Sequence, residues 1–414
     1  MSYSISNLIV LAIVLFFSLS YTHGKHIMNR KDNHKSSLII LFLTSDAFRN
    51  DYIEIYKPPH LVKMINEGVR VEHTDDVFPT LTTPNMTSLV TGSYPETTGI
   101  AANSQYDVGI DKIIGAPRNN KAETISETLK KNQWKTASIN HFMLEHRGTD
   151  EYIRTGYDNL TKTTNEIIQL LEKGDFNFIS AIYGLTDNWG HKYGPFSEKM
   201  KEAVLSTDYE VGRILETIYR LNLQDRVIIS FNSDHGMTSY KESKNILTEP
   251  IRLLRKSGYK VATNPEELND ETEIIVLAYG VRIIYFRKNI NLHEREKVVN
   301  LLKVIEGVEI LERDKLDSLH CHNNLSGDVI VSPLPGYLFN DGGRTGGVHG
   351  VMTDRNPVII FWGKNVQKGC TIPSGNIIDI VPTLLDLVNV KPASTVDGRV
   401  LTGVKETSSS GTTQ

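Results

Sequence analysis

Seven side chains of the kinds that hold a metal or attack phosphorus lie in compact phrases along this chain. Asp46 ends the run LFLTSD, and Thr82 lies in FPTLTTPNMTSLVTGSYPETTGI. Asp187 and His191 share YGLTDNWGHKYGP, Asp234 and His235 share FNSDHGM, and His349 sits in GGVHGVMT. Zinc takes imidazole nitrogen and carboxylate oxygen in a roughly tetrahedral shell, and a catalytic ion keeps one position open. Asp187, His191 and His349 make three ligands for one ion, and Asp46, Asp234 and His235 make three for a second. Two ions about 3.5–4 Å apart can hold the attacking and leaving oxygens of an in-line phosphoryl displacement. The cofactor expectation is therefore two Zn2+ per chain, with Thr82 as the remaining ligand and the nucleophile.

An unassisted threonine hydroxyl is a poor nucleophile at neutral pH and needs a base or a metal beside it. Pro84 followed by NMTSLVT predicts a helix start, which puts Thr82 near free backbone N–H groups that favour an anionic oxygen. Thr80 and Thr83 are rivals at this point, since a threonine ahead of a helix commonly serves only as its cap. Asn103 is a second donor available to a non-bridging phosphate oxygen. Taken singly, each phrase has a plainer reading. A strand-terminal Asp often forms a turn, a DxxxH on a loop is often surface charge, and a histidine in a glycine-rich loop need hold nothing. Their agreement carries the argument, because the ligand types match two metal shells in number.

The elements that position them can be read from apolar patterning. Residues 37–45 are a continuous apolar, β-branched run, as expected of a parallel strand buried on both faces. Similar runs recur at 134–139, 176–184, 226–232 and 357–363, separated by helical stretches at 122–131, 159–173 and 197–220. Strands alternating with helices predict an α/β fold with a mostly parallel central sheet covered on both faces. Asp46, Asp187 and Asp234 each come just past an apolar run, at the carboxyl ends where open α/β sheets place their ligands. Residues 240–345 break this rhythm and read as a smaller α/β cap insert within one catalytic domain over 36–395. A glycine-rich loop at 334–350 carries His349 back to the sheet edge, and 405–414 reads as a flexible tail.

The 414 residues carry a net charge of −4 and 39% hydrophobic residues, an ordinary globular composition. Such a balance offers no basic footprint for duplex nucleic acid. The run Leu8 to Leu19 within residues 1–24 fits the core of a signal peptide, and it is short for a spanning helix of about 20 apolar residues. The expected location is thus secreted or extracytoplasmic, with an N-terminal membrane anchor as the alternative if the segment is retained. Cys321 and Cys370 suffice for one disulfide and for no thiolate zinc site. Sequons stand at Asn85, Asn159 and Asn324; the first lies in the helix after Thr82 and is expected to stay unmodified.

These phrases resemble those of the nucleotide pyrophosphatase/phosphodiesterase family, within the alkaline phosphatase superfamily. DAFRNDY is similar to its D-G-F-R-x-D-Y, with Ala47 in place of glycine, and the Thr82 phrase is similar to P-T-x-T-F-P-N…T-G-x-Y-P-E-x-x-G-I. The resemblance spans roughly residues 38–390. It implies an alkaline-phosphatase-like three-layer sandwich and a two-zinc hydrolase of phosphodiester or pyrophosphate bonds. It selects Thr82 as the threonine that forms a phosphothreonine intermediate. It implies Asn103 as the phosphate-binding asparagine, places Thr83 at the substrate, and makes Asp46, Asp187, His191, Asp234, His235 and His349 the metal ligands. Thr83 stands where many relatives carry a base-stacking phenylalanine, and Leu81 replaces a frequent lysine. The expected partner is therefore a small phosphate ester, of which a nucleotide is one option. A phosphonate or phosphomonoester hydrolase on the same metal site is the alternative, followed by a catalytically silent binding protein. Oligomeric state is not legible.

Overall fold

The computed structural model describes residues 38–287, 290–339, 345–354 and 356–407. The signal-peptide reading of 1–24 and most of the tail reading lie outside the described residues. Eight strands form the main sheet: β1 (Ile39–Ser45), β2 (Val69–Asp75), β3 (Thr136–Ile139), β4 (Glu151–Ile153), β5 (Phe178–Tyr183), β6 (Val227–Asn232), β7 (Ile359–Gly363) and β8 (Cys370–Asn376). Their spatial order is β8-β2-β7-β6-β1-β5-β3-β4. Only β7 runs against its neighbours, so the sheet is mixed but mostly parallel.

The period-2 alternation of side chains turns β1 into the divider of two cores. Leu41 and Leu43 join Val204, Val211 and Ile214 on one face, while Ile40 and Phe42 join Met86, Leu89 and Leu384 on the other. Both faces of β1 are covered, which explains why its sequence is apolar without alternation. The result is the expected α/β sandwich of three layers.

Four helices matter to the site: α1 (Thr82–Thr91), α2 (Leu160–Lys173), α3 (Leu185–Tyr193) and α4 (Glu198–Arg220). Helix α1 is buried along nearly its whole length and ends at Gly92 with φ 69°, a left-handed stop that glycine adopts freely. The Asp187 and His191 phrase, expected as a loop, is helix α3 and puts the two side chains one turn apart on one face.

A second sheet has the strands Val261–Ala262, Ile274–Ala278, Arg282–Phe286, Val329–Pro333 and Val308–Leu311 in that spatial order, with the helix Leu292–Leu302 beside it. One face of this sheet shares a core with the segment around Thr82: Ile275, Leu277 and Ile283 pack with Phe78, Leu81 and Ala102. Burial of that shared apolar surface presses the second sheet onto the mouth of the site. No helix among the described residues is long and apolar enough to cross a membrane. Cys321 and Cys370 are both free thiols.

Candidate active site

Three neighbouring strands deliver three carboxylates to one place. Ser45 of β1 is in register with Tyr183 of β5, and Thr44 with Asn232 of β6, so the chain leaves the sheet at one level on all three. Asp46 follows β1 at once, Asp234 lies two residues beyond β6, and Asp187 comes in the first turn of α3 after β5. Asp46 Oδ1, Asp187 Oδ1 and Asp234 Oδ2 are buried, and none has a hydrogen-bond partner. Orphaned carboxylate oxygens are rare in native interiors because each forfeits its solvation. Three of them converging imply a cation.

The histidines complete the picture through their second nitrogens. His191 Nδ1 lies 3.0 Å from Gly347 O, His235 Nδ1 2.8 Å from Gly236 O, and His349 Nδ1 2.8 Å from Thr80 O. Each Nδ1–H therefore donates to a main-chain carbonyl, which leaves each Nε2 with its lone pair, the arrangement that metal-binding imidazoles use. His191 Nε2 and His349 Nε2 approach Asp187 Oδ1 at 3.4 and 3.7 Å. His235 Nε2 approaches Asp46 Oδ1 at 3.4 Å and Asp234 Oδ2 at 3.2 Å.

Two groups stand close enough to share an ion: Asp187, His191 and His349, and separately Asp46, Asp187 and His235. The first is the trio expected from the sequence. The second brings Asp187 in beside Asp46 and His235, where the sequence suggested Asp234, whose Oδ1 already accepts the Ala47 N–H at 3.2 Å. Asp187 thus lies between the two groups. Carboxylate oxygen and imidazole nitrogen in this number fit zinc or a similar divalent ion.

Burial sets the charge state of the metal-free protein. It pushes the Asp234 carboxyl up to about 7 and, with the nearby charges of Asp234 and Asp187, raises Asp46 well above the usual carboxylate range. The same burial holds His235 down to about 3 and, with His235 and His191 nearby, keeps His349 well below the ordinary imidazole value.

Thr82 is the first residue of α1, half-buried, with Oγ1 3.2 Å from His235 Nε2. Thr80 and Thr83 do not share this position: the Thr80 hydroxyl donates to Asp354 Oδ2 at 2.8 Å, and Thr83 is buried. Asn103 Oδ1 accepts the Thr83 N–H at 2.8 Å, which leaves the Asn103 amide NH2 as the donor facing outward. That bond narrows the expected helix-terminus anion site. With the Thr83 N–H occupied and no N–H on Pro84, Thr82 N–H is the first-turn donor that remains. Asn85 is fully buried, with its amide bonded to the carbonyls of Val77, Pro79 and Leu81, a structural role that leaves no access for modification.

Two residues of the site escaped the sequence reading. The Tyr157 hydroxyl donates to Asp46 Oδ2, which leaves Oδ1 as the free oxygen. Asp354, 1% exposed, accepts the Gly350 N–H at 2.7 Å as well as the Thr80 hydroxyl. Neither stands in a phrase with a ligand-like spacing; the one available signal was an acidic residue close behind GGVHG.

The sequence model described as type I phosphodiesterase / nucleotide pyrophosphatase matches residues 40–352. Bis(5'-adenosyl)-triphosphatase ENPP4 of Homo sapiens is 26% identical over 383 residues, which cover 85% of this chain and 78% of that protein. Murine ectonucleotide pyrophosphatase / phosphodiesterase 5 superposes with a TM-score of 0.71 at 21% identity, covering 86% of this chain and 96% of the other. An inactive form of the same murine protein, in complex with AMP, gives the same TM-score at 20% identity. At that identity the solved structures show a shared fold.

Proposed function

Since this chain belongs to the type I phosphodiesterase / nucleotide pyrophosphatase family, whose members hydrolyse phosphodiester or pyrophosphate bonds, we propose that it does so through Thr82 with two zinc ions. The observation that carries this reading is the convergence of three unpartnered carboxylate oxygens and three oriented imidazoles beside one threonine hydroxyl.

Asp187, His191 and His349 would hold one ion, and Asp46, His235 and Asp234 the other, with Asp187 bordering both. When bound, such ions favour the alkoxide and offset charge on the phosphate. The chain's own groups supply the rest. Tyr157 fixes Asp46, and the main-chain carbonyls of Thr80, Gly236 and Gly347 fix the three imidazoles. Thr82 Oγ1 gives its proton to solvent and bonds to phosphorus as the ester oxygen opposite departs. The Asn103 amide donates to a non-bridging oxygen during this step. Water then displaces Thr82 from the phosphothreonine, releasing a phosphate monoester and restoring the hydroxyl.

The substrate reading is a small organic phosphodiester or pyrophosphate, including nucleotides, in line with the names of ENPP4 and of the AMP complex. In this reading residues 240–345 form a cap, and Leu8 to Leu19 directs the chain outside the cytoplasm. Metal analysis and a panel of bis-p-nitrophenyl phosphate, p-nitrophenyl phosphate and phosphonoacetate test it. The expected result is about two zinc ions per chain with the diester turned over fastest. A preference for the monoester or the phosphonate, or a purified protein that takes up no zinc, overturns it.

A further inference from the structure

We propose that Tyr279 is a specificity-determining residue, which presents its ring to a planar organic group esterified to the substrate phosphate. The inference rests on the phosphodiesterase reading and adds the side chain that selects among esters.

A cavity of about 450 Å³ opens beside the candidate metal ligands, lined by Leu81, Asn103, His191, Tyr279, Val348 and His349 among others. It adjoins Thr82 on the side of the second sheet, so a group esterified to a phosphate held at Asn103 and the imidazoles extends into it. The described residues lining it bring apolar carbon, imidazoles, one amide and one phenol, and no Lys or Arg. Such a lining favours an uncharged, ring-shaped group over a bare chain of phosphates. Thr83, where the sequence resemblance leads one to expect an aromatic platform, is buried and offers no ring. Tyr279 supplies the phenol ring of this wall.

The ring is held in place before any ligand arrives. Tyr279 lies in the turn between the strands Ile274–Ala278 and Arg282–Phe286, with its N–H bonded to Val281 O at 2.8 Å. Arg282 is 2% exposed, donates to the Tyr279 carbonyl, and is itself bridged to Glu249 at 2.9 Å. The next residue, Gly280, sits so close to the other wall that a Cβ there would stand 2.3 Å from His349 O. The turn is thus seated on the backbone of a candidate ligand, and glycine is required by that approach. The Tyr279 hydroxyl donates to Ser104 O at 3.5 Å, the residue after Asn103, so the ring is tied at its far end to the segment that carries the Asn103 amide. A side chain with two rotatable bonds, already braced at both ends, loses little entropy on stacking.

Two product-like monoesters that differ only in the ring, phenyl phosphate and methyl phosphate, are titrated by calorimetry into the zinc-loaded protein. Wild type should prefer phenyl phosphate by about tenfold, the size of a single aromatic stacking contact. In Tyr279→Ala that preference should vanish while methyl phosphate binds as before. In Tyr279→Phe the preference should persist, with zinc content unchanged in both variants. Equal weakening of the two ligands in Tyr279→Ala, or an unchanged preference, overturns the proposal, as does failure of phenyl phosphate to bind better than methyl phosphate. Turnover of bis-p-nitrophenyl phosphate on the same preparation reports separately on the phosphodiesterase reading, since the calorimetry needs no catalysis.

Discussion

The Thr80 hydroxyl donates to Asp354 Oδ2 at 2.8 Å, joining the segment that leads to Thr82 to the one that leaves His349. The same oxygen accepts the N–H of Gly350 at 2.7 Å, and the Asp354 main-chain carbonyl accepts the Gly236 N–H at 2.9 Å. Three of the chemical phrases therefore meet at one residue, two at its buried carboxyl and one at its main-chain carbonyl. Asp354→Ala takes the acceptor from the Val351 N–H and leaves the Thr80 hydroxyl and the Gly350 N–H only their second partners, Val351 O and Thr80 Oγ1, at about 1–3 kcal/mol for a buried donor left unpaired. The expected outcome is a melting temperature lower by several degrees and turnover lower by at least about tenfold, since small displacements at a reacting centre are costly. Asp354→Asn, which keeps an acceptor oxygen, should recover most of both. Thermal unfolding and diesterase assays check this, and an Asp354→Ala protein as stable and active as wild type would sink it.

Thr82→Ala should abolish turnover, because neither neighbouring threonine is placed to take over: Thr80 is engaged by Asp354, and Thr83 is buried with its N–H tied to Asn103. Metal content should stay near the wild-type value, since the carboxylates and imidazoles are untouched. Mass spectrometry after brief exposure of wild type to a diester at low pH should find phosphate on Thr82. Its consistent absence, with turnover intact in Thr82→Ala, defeats the nucleophile assignment.

Asp187 borders both candidate metal groups, whereas His349 borders one. Replacing Asp187 with Ala should therefore deplete both ions, and replacing His349 with Ala should deplete mainly one. Metal analysis of the two proteins after identical dialysis decides the matter. Equal loss in both variants would return Asp187 to a single shell.

Strands β1, β5 and β6, which carry three of the carboxylates, were legible because burial on both faces makes them uninterrupted apolar runs. Strands β2 and β8 were not. VRVEHTD is mostly polar because only part of it is covered, and CTIPSGN carries Pro373 and Gly375, which an edge strand tolerates and a central one does not. Helix α3 was hidden by Gly190, a poor helix former. Its site needs glycine because a Cβ there would meet Met237 Sδ at 2.3 Å. Each ligand-type residue could be named from its local phrase, but the sharing of Asp187 between two groups, the Tyr157 bond to Asp46 and the role of Asp354 are products of tertiary contact. Local spacing holds no record of them.

Ala47 occupies φ 57°, a left-handed conformation in which a Cβ costs about 1–2 kcal/mol, and the resembling phrase of the family has glycine there. Glycine would remove that strain. It would also forfeit a fully buried methyl, worth about 0.8 kcal/mol, and loosen the unfolded chain by about 0.4–1 kcal/mol. These terms nearly cancel, so Ala47→Gly should leave stability within about 1 kcal/mol of wild type. Ala47→Val gains no such offset, since a β-branched residue fits the left-handed region badly and the site has no room. A loss of more than about 2 kcal/mol is expected for it in denaturant melts.

The charge state of the metal-free site makes its own prediction about pH. With Asp234 pushed up to about 7, its carboxyl holds its proton below neutrality, and burial beside like charges moves Asp46 in the same direction. His235 and His349 are held neutral there by the same burial. Zinc requires deprotonated ligands, so loading at pH 6 must expel carboxyl protons and leave those two imidazoles as they are. Affinity should therefore weaken as pH falls through about 7. The infrared C=O band of protonated carboxyl should be present in the metal-free protein at pH 6 and fade as zinc is added. At pH 8 the band should already be weaker and the change on loading smaller. A metal-free protein with no zinc-sensitive carboxyl band at pH 6 would mean that solvent reaches these aspartates, and that the orphaned oxygens are not the enclosed cation site described above.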